Sequence, residues 1–363
     1  MAVSRIAMRV IELACENFRC IAEINLRPGP ELNLIRGKNA QGKTSLLEAL
    51  LYASTSKSHR TRLDTELVRA GKGRFRIYVH VERSDREVSI EAVWWEGAKR
   101  FKVNNIAQTR LSDVLGKVNV VFFSPEDVSI VRGSATQRRA FLDMELSQIS
   151  PRYLYALQQF RQVLRQRNEL LRRPEPDSAQ LDAWDAQFNT HGATLMEERS
   201  QFLAELAPLG DAAYRAVAGG ESLQIAYRPD VKSPEALPEV LTASRRSDVR
   251  QGVTTHGPHR DDIEFSLEGM SARQMASQGQ QKTAALALKL AELELVRART
   301  GEYPILMLDD VFSELDASRA ARLAESLPRD AQCFITTTDL TDRDDLFGDA
   351  CNRFTIESGK LVQ

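Results

Sequence analysis

The sequence lacks any apolar run long enough to cross a lipid bilayer. No stretch approaches the ~18 consecutive apolar residues that a membrane helix needs, and the segment from Met1 to Ile6 lacks the apolar core of a secretory signal. Cysteine is scarce, and its four residues form no C-x-x-C pair: Cys15, Cys20, Cys333 and Cys351. We therefore expect reduced thiols, a cytoplasmic location and no membrane partner.

The chain also lacks an excess of charge of either sign. Its 49 Lys and Arg residues nearly balance 50 Asp and Glu residues, which leaves a net charge of −1. A global attraction to nucleic acid is thereby excluded, so any DNA binding must come from local basic patches. The length of 363 residues predicts two or three compact units.

What the sequence does contain is a phosphate-binding loop. The residues follow the pattern G-x-x-x-x-G-K-T: Gly37, Lys38, Asn39, Ala40, Gln41, Gly42, Lys43 and Thr44. The glycines let backbone N–H groups surround phosphates, Lys43 reaches the β- and γ-phosphates, and the Thr44 hydroxyl holds Mg²⁺. A short apolar strand precedes the loop, and a strong helix former that begins at Ser45 follows it. We predict an ATP site that comprises these residues and Ser45, with ATP and Mg²⁺ as cofactors.

A second nucleotide-binding element lies far downstream. Ile305 to Leu308 is an apolar run that ends in Asp309 and Asp310, the Walker B pattern. A buried strand would deliver Asp309 to Mg²⁺, and Asp310 would orient or deprotonate the attacking water. We therefore assign catalytic roles to Asp310 and Lys43, and the metal to Thr44 and Asp309.

Between these motifs, Ser277, Gln278, Gly279 and Gln280 open a long helix predicted over 280–299. One interpretation is a plain Ser N-cap with Gln three residues later. The other is a signature segment that reaches the ATP of a second subunit, with Ser313 and Asp316 forming a D-loop after Walker B. The order of the four elements favours the second interpretation and is typical of ABC-type ATPases, in which ATP is sandwiched in a dimer.

Residue patterns divide the chain into three parts. Residues 1–147 are β-rich around the P-loop, with strands predicted at 75–81, 87–94 and 118–123. Residues 148–215 form a predicted helical arm, a hairpin of two helices of roughly 20 to 25 residues broken at 172–177. Residues 216–363 return to α/β character, with central strands predicted at 304–308 and 333–335.

Basic residues suggest where DNA would bind. Arg60, Arg62, Arg74 and Arg76 lie in a basic stretch, and Arg161, Arg165 and Arg167 lie on the first arm helix. The alternative for each is a solvated surface. No aromatic residue is interleaved as single-strand stacking requires, and Trp94, Trp95 and Trp184 are interpreted as packing residues. We therefore predict contacts of Arg60, Arg62, Arg74, Arg76, Arg161 and Arg165 with a duplex backbone.

Several segments together resemble the RecF family of bacterial recombination-repair ATPases, which is related to the SMC family. The segments span the chain in order: Glu16-Asn17-Phe18-Arg19, the P-loop, Lys57-Ser58-His59-Arg60-Thr61, Ser124 to Gly133, Arg138 to Asp143, Gln166 to Leu171, Gly257 to Asp262, Ser277 to Gln280 and Leu308 to Asp316. The resemblance implies an α/β fold, an ABC/SMC-like P-loop head with a mixed sheet and flanking helices, plus the helical arm. It also places Arg19, in the N-F-R element, at the ATP.

The resemblance further implies a function in DNA repair, replication and the SOS response to DNA damage. It implies an ATP-dependent homodimer that binds duplex DNA next to single-stranded gaps, with RecR and RecO as partners in loading recombinase. Two departures from transporter ATPases suggest slow hydrolysis: Asp310 stands where a glutamate is usual, and Thr336-Thr337-Thr338-Asp339 contains no histidine. An ATP-gated scaffold with negligible hydrolysis is the alternative function. A transporter subunit or a nuclease-fused ATPase is less compatible with the arm and the chain length.

Overall fold

The computed structural model describes residues 7–338, 346–348 and 351–362. The chain divides into two compact units, which we call the α/β unit (Met1–Asp127, Ala213–Gly220 and Leu286–Gln363) and the helical unit (Val128–Ala212 and Glu221–Ala285). The predicted three-part division at residues 147/148 and 215/216 stays a prediction.

The strands, in chain order, are β1 (Arg9–Phe18), β2 (Ile21–Leu26), β3 (Leu32–Arg36), β4 (Arg74–Glu82), β5 (Glu87–Trp95), β6 (Ala98–Val103), β7 (Ile106–Gln108), β8 (Val120–Phe123), β9 (Leu223–Arg228), β10 (Asp262–Leu267), β11 (Met270–Ser271), β12 (Ile305–Leu308), β13 (Cys333–Thr337), β14 (Asn352–Glu357) and β15 (Lys360–Val362). The helices are α1 (Lys43–Thr55), α2 (Val128–Arg132), α3 (Ala135–Ile149), α4 (Pro151–Leu171), α5 (Ser178–Ala218), α6 (Leu237–Gln251), α7 (Ala272–Met275), α8 (Gln278–Thr300) and α9 (Ala317–Ser326).

A mixed sheet of the α/β unit brings the nucleotide motifs together. Its order is β15-β14-β3-β13-β12-β8, with β14, β3, β13, β12 and β8 parallel and β15 antiparallel to β14. The strands β8 and β12 are buried along their whole length, as their continuous apolar sequences predict. The strands β3, β13 and β12 are neighbours and parallel. The P-loop, Thr336 and Asp309 therefore lie together at the carboxyl-terminal edge of the sheet.

A second, antiparallel sheet of the α/β unit has the order β2-β1-β4-β5-β6-β7. Residues along β4 and β5 alternate between a buried inner face and a polar outer face. Helix α1 packs against strands of both sheets, and its Tyr52 is surrounded by the rings of Phe18, Phe75 and Phe101. One apolar core therefore joins the P-loop helix to both sheets.

The helical unit contains α2, α3, α4, α6 and α7, most of α5, the first residues of α8 and the antiparallel sheet β11-β10-β9. Helices α4 and α5 run antiparallel, because Phe160 packs on Phe188 at a centroid distance of 4.7 Å and Arg152 pairs with Glu197. The predicted helix hairpin is thereby confirmed, and α4, with 21 residues, has the predicted length. The predicted length of the second helix is wrong. Helix α5 runs for 41 residues and continues past Pro208, since the buried stripe of Phe202, Leu206 and Tyr214 outweighs the hydrogen bond that proline removes.

Buried arginines hold the helical unit together. Arg167 is fully buried and donates to Asp185 at 2.7 Å, Asp248 at 2.8 Å and Thr254 at 2.8 Å. The interpretation of Arg167 as a DNA contact is therefore wrong. Such a charge is tolerated inside a protein only when it is paired and hydrogen-bonded, which is its condition here.

Among the described residues, no helix has both the length and the apolar character that a bilayer crossing requires.

Candidate nucleotide-binding site

The P-loop has a backbone that its glycines allow. Gly37 and Gly42 have φ of 151° and 114°, outside the range that other residues favour. A Cβ on Gly37 would lie 2.3 Å from the carbonyl oxygen of Ile356, so only glycine fits between the loop and β14. Helix α1 begins at Lys43, directly after Gly42, and its free N–H groups face the loop.

The Lys43 side chain lies over the loop from which it comes. Its Nζ donates to the carbonyl oxygens of Gly37 at 2.7 Å and Lys38 at 3.0 Å. Burial lowers the pKa of Lys43, against the attraction of Asp310 and Asp309. The ammonium group is thus partly dehydrated and placed where a phosphate can become its partner.

Walker A and Walker B meet at Asp309. The hydroxyls of Thr44 and Thr336 both donate to Asp309 Oδ1, at 2.9 and 2.7 Å. Burial raises the pKa of Asp309, and the two hydrogen bonds oppose that rise. A threonine hydroxyl beside a carboxylate is an oxygen pair of the kind that Mg²⁺ prefers when phosphates supply other ligands, so these residues fit the metal.

Asp310 differs from its neighbour in both backbone and side chain. It has a left-handed backbone, with φ of 52°, and its N–H donates to Thr336 Oγ1 at 2.9 Å. In the part of the chain that the structure describes, its buried Oδ1 has no hydrogen-bond partner. A buried acceptor without a donor is costly in a folded protein, and this one fits a water or substrate group in the cavity.

These side chains line one cavity of about 310 Å³ in the α/β unit. The lining comprises Cys20, Asn39, Ala40, Gly42, Lys43, Thr44, Ser45, Arg60, Pro125, Glu126, Asp309 and Asp310. Arg60, predicted as a DNA contact, is thus placed where it can meet a nucleotide phosphate, and its charge favours ionised Asp309. Sequence reasoning missed Cys20, because no motif includes it.

Arg19 is held by a carboxylate. Its guanidinium donates to both oxygens of Glu48, at 2.9 and 2.8 Å, and to the carbonyl oxygen of Glu66 at 3.1 Å. Burial disfavours ionisation of Glu48, but hydrogen bonds from Arg19 and Ser58 outweigh it and hold the pKa of Glu48 below its ordinary value. The predicted contact of Arg19 with ATP stays a prediction, and it would require this ion pair to open or to be shared.

Gln41, predicted at the ATP site, is bound to a turn near the C-terminus. Its side-chain oxygen accepts from the N–H of Ser358, and its carbonyl oxygen accepts from the N–H of Gly359 at 2.9 Å. Ser358 and Gly359 form the turn between β14 and β15. This hairpin therefore anchors the outer side of the P-loop, a role that the sequence motif does not indicate.

The start of α8 is closed by its own side chains. The N–H of Ser277 donates to Gln280 Oε1 at 3.0 Å, and the N–H of Gln280 donates to Ser277 Oγ at 3.2 Å. This is the capping box of the plainer interpretation. Ser277 and Gln278 are nonetheless exposed, so the cap does not exclude the signature role, which stays a prediction.

The D-loop residues also make local contacts. Ser313 Oγ donates to the carbonyl oxygen of Asp310 at 2.7 Å, and Asp316 caps α9 by accepting from the N–H of Arg319 at 2.9 Å. Both are exposed, and their predicted role remains a prediction. In the switch segment, Thr336 bonds Asp309, whereas Asp339 lies outside the described residues.

The remaining DNA candidates fall into two groups. Arg76 is held by Glu91 at 2.6 Å and Glu16 at 3.1 Å, and Arg161 by Asp143 at 2.7 Å. Arg62, Arg74 and Arg165 are exposed, and no ion pair holds any of them among the described residues. The second group is therefore freer to meet a phosphate, and the DNA role of both groups stays a prediction.

Comparisons with known proteins agree with this arrangement. Residues 9–345 match the family described as "RecF/RecN/SMC N terminal domain". The chain is 40% identical over 361 residues to a protein of Lactobacillus delbrueckii subsp. bulgaricus named "DNA replication and repair protein RecF", with 95% of each chain covered.

Solved structures give the same answer. A structure of the recombination mediator protein RecF with ATP, in the RecFOR pathway, is 34% identical, covers 100% of this chain and 99% of its own, and superposes with a TM-score of 0.91. An Smc head domain derived from Pyrococcus furiosus is 14% identical, covers 98% of this chain and 96% of its own, and shares the fold with a TM-score of 0.58. The fold is thus the mixed α/β head of RecF and SMC proteins with a helical insertion, and the chain belongs to the RecF family of DNA replication and repair proteins.

Proposed function

We propose that the protein is an ATP-dependent DNA-binding repair and replication protein that dimerises on ATP. It binds duplex DNA near single-stranded gaps and helps to load recombinase in the RecFOR pathway, with RecR and RecO as partners. The observation that carries the ATP-dependent part is the Thr44–Asp309 contact, which joins Walker A and Walker B across 265 residues of sequence. The DNA and partner functions rest on the family, whose members are named for replication and repair.

The positions of the cavity residues support a chemical role for each. When bound, ATP would supply the phosphoanhydride bond that is cleaved. Mg²⁺ would supply positive charge that offsets the charge of the phosphates. Thr44 and Asp309 would hold the metal, and Lys43 would bind the β- and γ-phosphates. Asp310, with its unpartnered oxygen in the cavity, would orient the attacking water.

ATP would join two copies of the chain. The cavity residues come from the P-loop and Walker B, whereas Ser277 and Gln278 are exposed at the start of α8. A second copy would present that segment, with Ser313 and Asp316, to the γ-phosphate. Because helix N-termini favour anions, the capping box around Ser277 would open or rearrange as the phosphate arrives.

Hydrolysis is proposed to be slow. Asp310 carries one methylene fewer than glutamate, and its left-handed backbone fixes its direction. Thr336, Thr337 and Thr338 supply no imidazole to the site. A binding-driven dimer with slow turnover suits a clamp that stays on DNA until ATP is consumed.

Sedimentation velocity tests the proposal. Wild type and Lys43→Met are compared without nucleotide, with ATP and Mg²⁺, and with added gapped duplex. We expect a monomer without nucleotide, an ATP-dependent dimer for wild type only, and a further shift with DNA. A wild-type monomer under every condition would contradict the ATP-dependent dimer.

The alternative function is a scaffold that binds ATP and hardly hydrolyses it. Asp310→Asn separates the two, since an amide can hold a water but cannot accept its proton. We expect this variant to dimerise with ATP and to lose turnover that wild type retains. Equal turnover by wild type and the variant would favour the scaffold.

A further inference from the structure

The outer face of the antiparallel sheet carries an exposed tryptophan at one end. Trp95 is the last residue of β5 and is 43% exposed, whereas Trp94, one position earlier, points inward and packs against the core. The interpretation of Trp95 as a packing residue is therefore wrong. A single exposed apolar side chain is common on protein surfaces, so the neighbours of Trp95 decide what its exposure means.

The sheet brings two arginines to the same place from other strands. Arg74, the first residue of β4, lies directly opposite Trp95 in the antiparallel register, so the two side chains share a face. Arg100, on β6, lies opposite Val93 of β5, and the Arg100 Cζ is 5.4 Å from the centroid of the Trp95 ring. We call Arg74, Trp95 and Arg100 the Trp95 corner.

The arginines of the Trp95 corner differ from their neighbours on the same face. Arg76 and Lys102, further along β4 and β6, are both bound to Glu91. Within residues 7–338, 346–348 and 351–362, neither Arg74 nor Arg100 forms an ion pair with a carboxylate. Two unneutralised guanidinium groups beside an exposed ring make this corner attractive to a polyanion that also has flat faces.

The described residues leave the corner uncrowded. The turns that border it contain Gly71, Gly73 and Gly97, and a Cβ built on any of them meets nothing within 4 Å. Arg74, Trp95 and Arg100 are all exposed. A flexible strand can therefore approach the ring and both guanidinium groups together.

We propose that the Trp95 corner binds single-stranded DNA, with one base stacked on Trp95 and the adjacent phosphates bound by Arg74 and Arg100. Stacking on aromatic rings combined with basic side chains is the usual mode of sequence-tolerant single-strand binding. A duplex does not offer this contact, because its bases are stacked on each other. The proposal rests on the proposed DNA-binding function and deepens it, by assigning the single-stranded side of a gap to this face. Next to the corner, Glu91 pairs with Arg76 and Lys102, and lysine and glutamate are depleted in protein interfaces, which disfavours a protein partner.

Two substitutions of Trp95 in the full chain test the proposal. Binding is measured by fluorescence anisotropy with a labelled oligo-dT, an abasic oligonucleotide of the same length and a blunt duplex. We expect Trp95→Ala to weaken oligo-dT binding at least about fivefold, Trp95→Phe to retain most of it, and both to bind the abasic strand and the duplex like wild type. Tyr155→Ala, which removes another exposed aromatic side chain, is the control and should change none of the three.

A spectroscopic readout reports on the ring itself. The sequence contains three tryptophans. In the double variant Trp94→Phe/Trp184→Phe, only Trp95 remains. We expect oligo-dT to quench its fluorescence and the abasic strand to leave it nearly unchanged. Quenching by both ligands alike would overturn base stacking.

Further outcomes of these binding measurements would overturn the single-strand site. Unchanged oligo-dT binding by Trp95→Ala, or an equal loss for dT, abasic strand and duplex, would overturn the single-strand site. If DNA binding is unchanged but ATP-dependent self-association is lost, the corner is a protein interface instead. Failure of the proposed function itself would appear differently, as a wild-type protein that does not bind gapped duplex or does not dimerise with ATP.

Discussion

The α/β unit carries two polar sites that are built in opposite ways. In the nucleotide cavity, Lys43, Thr44 and Asp309 each have hydrogen-bond partners at 2.7 to 3.0 Å within the site. At the Trp95 corner, Arg74 and Arg100 are exposed and lack carboxylate partners among the described residues. The first site is organised before its ligand arrives, whereas the second would be ordered by its ligand.

This difference predicts how each site responds to substitution. A preorganised site loses much of its affinity when one group is removed, because the other groups stay fixed around the gap. An exposed site that is not organised beforehand loses little for each charged residue removed, since its ionic contacts are screened and its side chains lose entropy on binding.

The largest effect is expected for Thr44→Val, which keeps the shape of the side chain and removes the hydroxyl. Secondary contacts of a metal site are worth about 10- to 100-fold in metal affinity, so loss of a proposed direct ligand should cost at least about 100-fold in Mg²⁺-dependent ATP binding. Titration calorimetry with and without Mg²⁺ measures the effect. Thr336→Val is the matched control, because Thr336 bonds the same oxygen of Asp309 but is not a proposed ligand. An equal loss in both variants would mean that Thr44 acts only by holding Asp309.

The next effect is a pH dependence of folding stability that arises from His59, the residue before Arg60 of the cavity lining. Burial lowers the pKa of His59 to about 4, and neither ring nitrogen has a hydrogen-bond partner among the described residues. The unfolded chain therefore binds a proton that the folded chain does not between pH 6.5 and about 4, so stability is full above pH 6.5 and falls as the pH drops. His59→Phe should keep the contact with Phe122 and reduce this slope by up to about 1.4 kcal/mol per pH unit.

Urea unfolding of both proteins from pH 4.5 to pH 8 measures that slope. Between pH 7 and pH 8 the two proteins should differ by a constant amount, which serves as the internal control. Parallel curves over the whole range would show that His59 does not titrate as described.

A smaller effect is expected for Gln41→Ala, which removes the side-chain bond from the P-loop to the β14–β15 turn. One net hydrogen bond contributes about 0.5–1.5 kcal/mol, so ATP affinity should fall about two- to tenfold while the melting temperature changes little. Gln108→Ala is the matched control, because the side-chain amide of Gln108 donates to the carbonyl oxygen of Ile106 in its own strand at 2.8 Å. Unchanged ATP affinity in Gln41→Ala would show that the hairpin does not position the loop.

The smallest effect is expected on DNA. Arg74→Gln should lower DNA affinity a few-fold and reduce the slope of log K against log salt by about 1. Arg76→Gln should change both less, because Glu91 and Glu16 already neutralise Arg76. Anisotropy titrations at several salt concentrations compare the two variants. A larger effect of Arg76→Gln would reverse the assignment of free and paired arginines.

The contrast between the sites also explains what the sequence could predict. The cavity is built from two contiguous motifs at the ends of neighbouring parallel strands, so P-loop and Walker B patterns located Lys43, Thr44, Asp309 and Asp310. The strands themselves were predictable from apolar runs and alternation, as β4, β5, β8, β12 and β13 show. Parallel strand order then brought the motifs together.

Contacts across strands were not predictable in this way. Arg74 and Trp95 are separated along the chain, and only the register of β4 with β5 makes them neighbours. No local pattern of aromatic and basic residues in the sequence therefore indicates the Trp95 corner. The same limit applies to Gln41 with Ser358 and to Arg167, whose burial depends on Asp185 and Asp248 from other helices.

Helix length was misjudged for a related reason. The prediction for the second arm helix was roughly 20 to 25 residues, but α5 runs for 41 residues through Pro208 because its apolar stripe extends beyond the proline. Local propensity is a weak guide when packing on one face continues.

The central claim is that one copy of the chain supplies the P-loop and another supplies Ser277. Mixing two inactive variants, Lys43→Met and Ser277→Arg, tests it most directly by ATP turnover. A mixed dimer has one site with both Lys43 and Ser277 intact, so the account predicts that mixing restores part of the wild-type turnover while neither variant alone hydrolyses ATP. No recovery at any mixing ratio, although the variants form mixed dimers with ATP, would contradict a site shared between two copies.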